Sequence, residues 1–156
     1  MSAAVALGLV AVANWLVLLL ARGFFWWPRL PAESTEPSRW PSVVAVVPAR
    51  DEATVIERSI RSLLNQDYPG AFSIVLVDDH SDDGTADIAR RLAGVDRLTI
   101  VSAPPLPHGW TGKLWAMNRG VQEIGEAELI LFTDADIAHH PGSLRALVAR
   151  LDVERR

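Results

Sequence analysis

The sequence contains no cysteine among its 156 residues. A disulfide framework, a thiolate zinc site and a cysteine nucleophile are therefore excluded for this chain. Only four histidines are present, and none falls in the H-E-x-x-H spacing of a zinc hydrolase. Basic residues are outnumbered as well, with 15 Lys and Arg against 19 Asp and Glu and a formal net charge of −4. Because a nucleic-acid partner usually requires a basic face, we predict no such partner.

The composition of the chain predicts one folded domain with one appendage. A hydrophobic content of 49% and a charged fraction of 22% suit a single buried core. Residues 3–21 are apolar apart from Asn14, and a helix of that length nearly matches the hydrocarbon core of a bilayer. Aromatic residues follow at 24–27, a cluster typical of the headgroup level. We therefore predict a single-pass membrane anchor with an aromatic interface over residues 1–27.

A cleaved signal peptide is the competing interpretation of this segment. No basic residue precedes the apolar run, and bulky aromatic residues stand where a small-residue cleavage site is required, so the anchor is favoured. Arg22, Arg29 and Arg39 all follow the run. The positive-inside rule therefore predicts a cytoplasmic-membrane protein whose soluble domain faces the cytoplasm. Residues 28–41 hold four prolines among polar residues and are predicted to form a linker.

Short apolar runs and helical stripes alternate in the rest of the chain. The apolar runs predict strands at residues 43–47, 74–77, 98–101 and 129–132. Helical stripes separate these strands, and a last helix opens near Pro141, whose fixed φ suits a first turn. Strands that alternate with helices imply right-handed βαβ units and a mostly parallel α/β sheet. The unbroken apolar run at 129–132 predicts a strand buried on both faces.

Two carboxylates, Asp134 and Asp136, come directly after this last strand. Open α/β sheets bind ligands in the crevice outside the carboxyl ends of their strands. Carboxylates one residue apart can share a hard divalent cation and hence a diphosphate, although the alternative that they only cap the turn stays open. His139 and His140 follow this pair. One of them could be a further metal ligand, but we favour for both a position beside the N-cap of the next helix.

Carboxylates also follow the first two predicted strands. Asp51 and Glu52 come after the first strand. Their carboxylates can bind a ligand there, or they can simply interact favourably with the dipole of the next helix. Residues 78–83 hold four carboxylates within six positions. Their mutual repulsion is easier to explain if some of them bind a ligand's hydroxyls, its amides or a cation. An EF-hand is excluded because Arg90 stands where a bidentate Glu is required, at position twelve counted from Asp79.

The loop after the third strand ends in Gly112 and Lys113. The G-x-x-x-x-G-K-[ST] phosphate loop is not satisfied, because Leu114 follows the lysine and Pro107 replaces the first glycine. No G-x-G-x-x-G motif is present either. Lys113 at a helix start can meet a diphosphate, or it is simply a solvated lysine. A phosphatase built on D-x-D is disfavoured because Ala138 stands where Thr or Val is usual.

Four motifs, taken together, resemble a family 2 glycosyltransferase with the GT-A fold. In chain order they are V-P-A-R-D-E at 47–52, V-D-D-H-S-D-D-G-T at 77–85, G-K with N-R-G at 112–120, and T-D-A-D at 133–136. Their order, spacing and strand context all match, over roughly residues 42–150. Within that family, the long loop at 105–116 and the A-D-I-A-H segment at 135–139 resemble the hopene-associated glycosyltransferases of bacterial hopanoid gene clusters.

The resemblance implies the N-terminal half of a Rossmann-like GT-A domain, so residues 42–156 are expected to be its incomplete nucleotide-sugar-binding part. It implies transfer of a sugar from a nucleotide-diphosphate sugar to a membrane lipid or hopanoid-like acceptor. The cofactor is then Mn²⁺ or Mg²⁺. Donor-binding residues implied by the motifs are Pro48, Asp51, Glu52, Asp79, Lys113 and Asp134. The metal ligands implied are Asp136 and Asp134.

The resemblance leaves the other half of the reaction unassigned. Inverting members of the family use a later carboxylate as general base for the acceptor hydroxyl, so the base is expected beyond Arg156. The alternative is a non-catalytic, membrane-tethered nucleotide-binding module that lacks a general base.

Overall fold

The computed structural model describes residues 2–20, 36–92 and 96–154, in two units, Met1–Glu33 and Ser34–Arg156. The first unit contains helix α1, Ala3–Leu20, whose residues are apolar apart from Asn14. Its 18 residues span roughly 27 Å at about 1.5 Å per residue, close to the thickness of a bilayer's hydrocarbon core. The helix is therefore long and apolar enough to cross a membrane. The predicted aromatic interface at 24–27 lies outside the described residues.

The second unit alternates strands and helices as predicted. Its strands are β1 Val43–Ala49, β2 Phe72–Asp78, β3 Leu98–Ser102 and β4 Leu129–Phe132. Its helices are α2 Ile56–Leu64, α3 Thr85–Leu92, α4 Gly112–Val121 and α5 Ser143–Glu154. The four strands form one parallel sheet in the order β3-β2-β1-β4. The predicted α/β class with a parallel sheet is therefore confirmed.

The strand order explains why helices cover both faces of the sheet. The chain steps in one direction from β1 to β2 to β3, and then crosses back to place β4 on the other side of β1. Right-handed crossovers that run in opposite directions put their helices on opposite faces. In agreement, α2 packs on the β1 face that carries Val43, Ala45 and Val47, whereas α4 packs on the face that carries Val44 and Val46.

Close packing of α4 against the sheet depends on Gly120. A Cβ atom at this position would lie 2.4 Å from Val46 Cγ1 and 3.0 Å from Val77 Cγ2, both of them buried side chains. The absence of a side chain therefore lets the helix backbone approach β1 and β2 directly.

The burial predicted for β4 is wrong on one face. Ile130 and Phe132 are 36% and 46% exposed, whereas Leu129 and Leu131 on the other face are partly buried. The reason is lateral position, because β4 is an edge strand and α4 packs against β1 and β2 rather than over β4. Among the described residues, no helix covers this side of β4.

The described end of the predicted linker, residues 36–41, contacts the α/β unit. The Tyr68 hydroxyl donates to the Pro41 carbonyl at 2.6 Å, and Arg39 forms an ion pair with Glu128. Trp40 packs edge-on against Tyr68 with ring centroids 5.5 Å apart. These contacts fix the entry to β1. Residues 28–35 of the predicted linker lie outside the described part, and the domain boundaries stay predictions.

A substitution at Gly120 tests the α4 packing. We expect Gly120→Ala to lower the free energy of unfolding by about 1–3 kcal/mol, because the added methyl group must displace buried valines. Gly142→Ala is the matched control, since its Cβ would lie 3.8 Å from the nearest atom, an ordinary contact, and its effect should stay within about 0.5 kcal/mol. Urea denaturation of both variants measures the difference, and equal losses would contradict this packing.

Candidate functional site

A cleft of about 330 Å³ lies at the carboxyl ends of the strands. It opens where the chain leaves β1 and β4, the neighbouring strands between which the connection reverses direction. Such a switch point is where open α/β sheets bind ligands, because the loops there diverge to opposite faces. The residues that line it are Pro48, Ala49, Arg50, Glu52, Asp79, Gly112, Lys113, Ala116, Asp134, Ala135 and Asp136.

The loop after β1 is held by the loop after β2 through side chain to backbone hydrogen bonds. Asp51 adopts a positive φ of 55°, which is uncommon for a residue other than glycine. Its backbone N–H donates to Ser81 Oγ at 3.1 Å, and its own Oδ1 accepts from the Asp82 N–H at 3.0 Å. The Asp51 carboxylate is thus engaged by the neighbouring loop.

Asp83 and Thr85 complete this connection. Thr85 is fully buried, and its hydroxyl oxygen accepts from the Glu52 N–H at 2.8 Å while its own O–H donates to Asp83 Oδ1 at 2.6 Å. Asp83 Oδ2 accepts from the Ala53 N–H at 2.8 Å. The Thr85 hydroxyl first and the Ala53 N–H second lower the pKa of the Asp83 carboxyl below its ordinary 3.8. These bonds fix the backbone of Glu52 at the mouth of the cleft.

Asp79 is the most buried acid of the cleft, with a side chain only 10% exposed. Its backbone N–H donates to the Ala49 carbonyl at 2.8 Å, which ties the ends of β1 and β2 together. Arg50 Nη1 and His80 Nδ1 lie 3.7 and 3.4 Å from its two carboxylate oxygens. A Cβ atom on Gly112 would lie 2.6 Å from Asp79 Oδ2, so a glycine lets the start of α4 meet this carboxylate.

Helix α4 brings its amino terminus and Lys113 to the cleft. Thr111 precedes the helix without a side-chain capping bond, so its side chain leaves the backbone donors of the first turn to other acceptors, and helix amino termini favour anions. Lys113 Nζ lies 2.6 Å from Asp134 Oδ1. This ion pair spans the cleft from α4 to the loop after β4, and both side chains are about half exposed.

Asp136 presents its carboxylate to the cleft and makes no hydrogen bond or ion pair with another described residue. No group of three or more His, Asp or Glu residues is arranged around a common metal position in the described part of the chain. His139 is engaged elsewhere, with Nε2 2.8 Å from Thr133 Oγ1. Asp134 and Asp136 therefore offer a divalent cation two carboxylates, and Mg²⁺-type sites commonly take their remaining ligands from substrate phosphates and water.

The structure brings together most of the residues that the sequence singled out. Around one cleft lie Pro48, Glu52, Asp79, Lys113, Asp134 and Asp136. Asp51 is not among the lining residues. Arg50 and Gly112 are lining residues to which the sequence interpretation gave no role, although each adjoins a predicted site residue within its motif. The binding roles of all these residues stay predictions.

Comparisons with known proteins agree with this architecture. A family model described as Glycosyl transferase family 2 matches residues 44–156. Beta-monoglucosyldiacylglycerol synthase of Trichormus variabilis is 35% identical over 98 residues, which are 62% of this chain and 20% of that protein. The chain spans a third or less of the length of the curated relatives that it matches.

Two solved structures share the fold of the α/β unit. Mannosyltransferase PcManGT from Pyrobaculum calidifontis, in complex with GDP-Man and Mn²⁺, is 29% identical with a TM-score of 0.71. That match covers 95% of this chain and 43% of the mannosyltransferase. TarS of S. aureus, in complex with UDP-GlcNAc, is 27% identical with a TM-score of 0.61, over 73% of this chain and 32% of TarS. The predicted GT-A fold is therefore confirmed.

The lowered pKa of Asp83 gives the site loops an acid-sensitive anchor. Because the folded-state pKa lies below 3.8, the stabilisation is complete above that pH and is lost as the pH falls through the folded-state value. We expect the Asp83→Asn variant to have a lower urea midpoint of unfolding than the original protein at pH 7. The difference between the two midpoints should shrink below about pH 4. Urea midpoints between pH 7 and pH 3 measure this, and a difference independent of pH would contradict it.

Proposed function

The chain belongs to glycosyl transferase family 2, and we propose that its α/β unit binds the nucleotide-diphosphate sugar of a membrane-anchored, metal-dependent sugar transferase. The observation that carries this proposal is the meeting of Asp134, Asp136, Lys113 and the buried Asp79 around one cleft at the switch point of the sheet. Carboxylates for a cation, a lysine for phosphate and a buried acid for a base or ribose are the groups that such a donor requires.

The residues predicted from the sequence have the following roles in this proposal. Asp79, with Glu52 or Asp51, lies nearest the base and ribose of the donor, and Pro48 lines the same side. Buried and hydrogen-bonded at its backbone, Asp79 is held in place before a ligand arrives. Lys113 and the amino terminus of α4 face the diphosphate, since helix amino termini favour anions. Asp136 would hold the cation directly, and Asp134 would contact the ribose or a metal-bound water.

The charge of the cleft supports metal dependence. Its lining residues include two basic side chains, Arg50 and Lys113, and four carboxylates. A nucleoside diphosphate is itself an anion, so its approach to this excess of carboxylates is unfavourable without additional positive charge. Asp136 would hold Mn²⁺ or Mg²⁺, and the cation would supply a Lewis acid that neutralises charge on the departing nucleoside diphosphate.

Two further observations support a lipid acceptor. Helix α1 has the length and composition of a membrane span, and the relative from Trichormus variabilis is named for a glycolipid product. An anchor holds a transferase at the surface where lipid acceptors lie. We extend the proposal to a hopanoid-like acceptor because of the motif resemblance at 105–116, and to a cytoplasmic position of the α/β unit because Arg22, Arg29 and Arg39 all follow the helix.

A non-catalytic nucleotide-binding module is the second candidate. The cleft lining favours it: its four carboxylates are Glu52, Asp79, Asp134 and Asp136, and the proposal assigns all of them to the donor or the metal, which leaves none to activate the acceptor hydroxyl. Assays of the chain with donor, metal and lipid acceptor test the module. Sugar transfer would exclude it, whereas donor binding without transfer agrees with both candidates, because neither assigns a cleft carboxylate to the acceptor hydroxyl.

Removal of Asp136 tests the metal site. We expect UDP or GDP to bind the full chain more tightly with Mn²⁺ than with EDTA. Asp136→Ala should weaken nucleotide binding in Mn²⁺ by at least about tenfold, since mutation even of residues behind a metal ligand typically lowers metal affinity or activity 10–100-fold. Calorimetric titration measures both affinities. Asp87→Ala, which removes an exposed carboxylate on α3, is the matched control and should behave like the original protein. Equal binding with and without metal would contradict the proposal.

The absence of cysteine permits a clean test of orientation. Asp87→Cys places the only thiol on an exposed position of the α/β unit, and Ser2→Cys places it before α1. We expect a membrane-impermeant maleimide to label Ser2→Cys in intact cells and Asp87→Cys only after permeabilisation. The reverse pattern would put the α/β unit outside the cytoplasm, and labelling of both variants in intact cells would exclude a spanning helix.

A further inference from the structure

A row of polar side chains on α2 and the turn after it holds the segment that follows Asp136. The Ser59 hydroxyl donates to the Ile137 carbonyl at 2.9 Å, and Ser62 Oγ accepts from the His139 N–H at 2.9 Å. Ser59 itself is almost completely buried. The segment at 137–140 has no regular secondary structure, so these side chains supply bonds that a strand or helix would otherwise provide.

Gln66 continues the same row one turn further along. Its Nε2 donates to the His140 carbonyl at 2.8 Å, and its Oε1 accepts from the Leu144 N–H at 2.9 Å. The Asp67 N–H donates to the Pro141 carbonyl at 2.8 Å. The backbone between residues 137 and 144 is therefore attached to α2 and the turn after it at five positions, 137, 139, 140, 141 and 144.

A second connection closes the loop that carries the two site carboxylates. Thr133, the residue before Asp134, is buried, and its Oγ1 lies 2.8 Å from Nε2 of His139. Burial lowers the pKa of the His139 imidazole below its ordinary 6.5, so the ring is neutral near pH 7. A neutral imidazole can donate or accept at Nε2, and the threonine hydroxyl can do either, so the pair makes one hydrogen bond in each tautomer.

The loop between these two residues is held through its backbone, and its two carboxylates make no bond to the residues that hold it. At its start, the Thr133 N–H donates to the Val46 carbonyl at 3.3 Å, which ties it to β1. In its middle, Ala135 is buried with 3% exposure. Asp134 and Asp136, on either side of Ala135, are exposed to the cleft, and neither is bonded to Thr133, His139 or Ser62. Thr133, His139 and Ser62 can therefore act on these carboxylates only through the backbone, whereas Lys113 contacts Asp134 directly through its ion pair.

We propose that Thr133 and His139, with Ser62 behind them, are positioning residues that set the geometry of Asp134 and Asp136 for a divalent cation. The inference rests on the function proposed above. Cations such as Mg²⁺ require their oxygen ligands in a near-ideal arrangement, and a cavity with only two protein ligands has little means to compensate for a displaced one. Groups that hydrogen-bond or orient the ligands from behind typically contribute 10–100-fold to metal affinity.

Isosteric variants of Thr133 separate the hydrogen bond from packing. Thr133→Val keeps the shape of the side chain and removes its hydroxyl, whereas Thr133→Ser keeps the hydroxyl and removes a methyl group. Tyr68→Phe is the control for the general loss of one hydrogen bond, because the Tyr68 hydroxyl bonds to Pro41 before β1, at the other end of the strand. Each variant is made in the full chain and purified in detergent micelles.

Two affinities are measured for each variant, with UDP and GDP as probes. The first is the Mn²⁺ concentration that half-saturates the protein at saturating nucleotide, and the second is the nucleotide concentration that half-saturates it at saturating Mn²⁺. We expect Thr133→Val to raise the first by about 10–100-fold and the second by less than about threefold. Thr133→Ser should stay close to the original protein, and Tyr68→Phe should change neither value.

Every other pattern overturns the inference. If Thr133→Val matches the original protein, raises both values in proportion, or is matched by Thr133→Ser, then the hydroxyl does not position the metal ligands. If Mn²⁺ fails to strengthen nucleotide binding in the original protein, the proposed function fails together with the inference. If Thr133→Val does not fold, His139→Phe and its hydrogen-bonding counterpart His139→Gln decide by the same two measurements, with a raised Mn²⁺ requirement expected for His139→Phe alone.

Discussion

The pairing of β1 with a parallel strand on each side is the constraint on which the rest of the α/β unit depends. Because β2 and β4 flank β1, the chain must reverse direction across the sheet, and its crossover helices must cover both faces. The loops that leave β1 and β4 then separate, and a cleft opens between them. The position of the candidate site is thus a consequence of strand order, before any side chain that lines it is considered.

Side chain to backbone hydrogen bonds give this cleft its definition. The acidic loop after β2 illustrates the division of roles, since the Asp83 carboxylate accepts from the Ala53 N–H and the Asp82 N–H donates to the Asp51 carboxylate, while Asp79 faces the cleft. The sequence interpretation explained the crowding of these carboxylates by ligand binding. The structure shows that backbone N–H groups satisfy part of this charge, and a cluster of acids in such a loop need not bind a ligand at every member.

Much of the fold and part of the site could be predicted from the sequence, for identifiable reasons. Apolar runs and helical stripes are local signals, and they located every strand and helix of the α/β unit. The burial of β4 could not be predicted, because it depends on which strand lies beside it. That Glu52 lines the cleft and Asp51 does not could not be predicted either, because the Asp51 residue has a positive φ and its carboxylate accepts from the Asp82 N–H. The periodicity of Ser59, Ser62 and Gln66 was visible in the sequence, but their partners are more than 70 positions away.

Helix α2 connects the stability of the domain to the geometry of its site. One stripe of this helix, Ile56, Ile60 and Leu63, is fully buried in the core under β1 and β2. The adjoining stripe, with Ser59 and Ser62, holds the backbone that follows Asp136. Residues three or four positions apart share a face of a helix, so a rotation or shift of α2 must displace both stripes at once. The core that stabilises α2 therefore also fixes the carboxylates that the site presents.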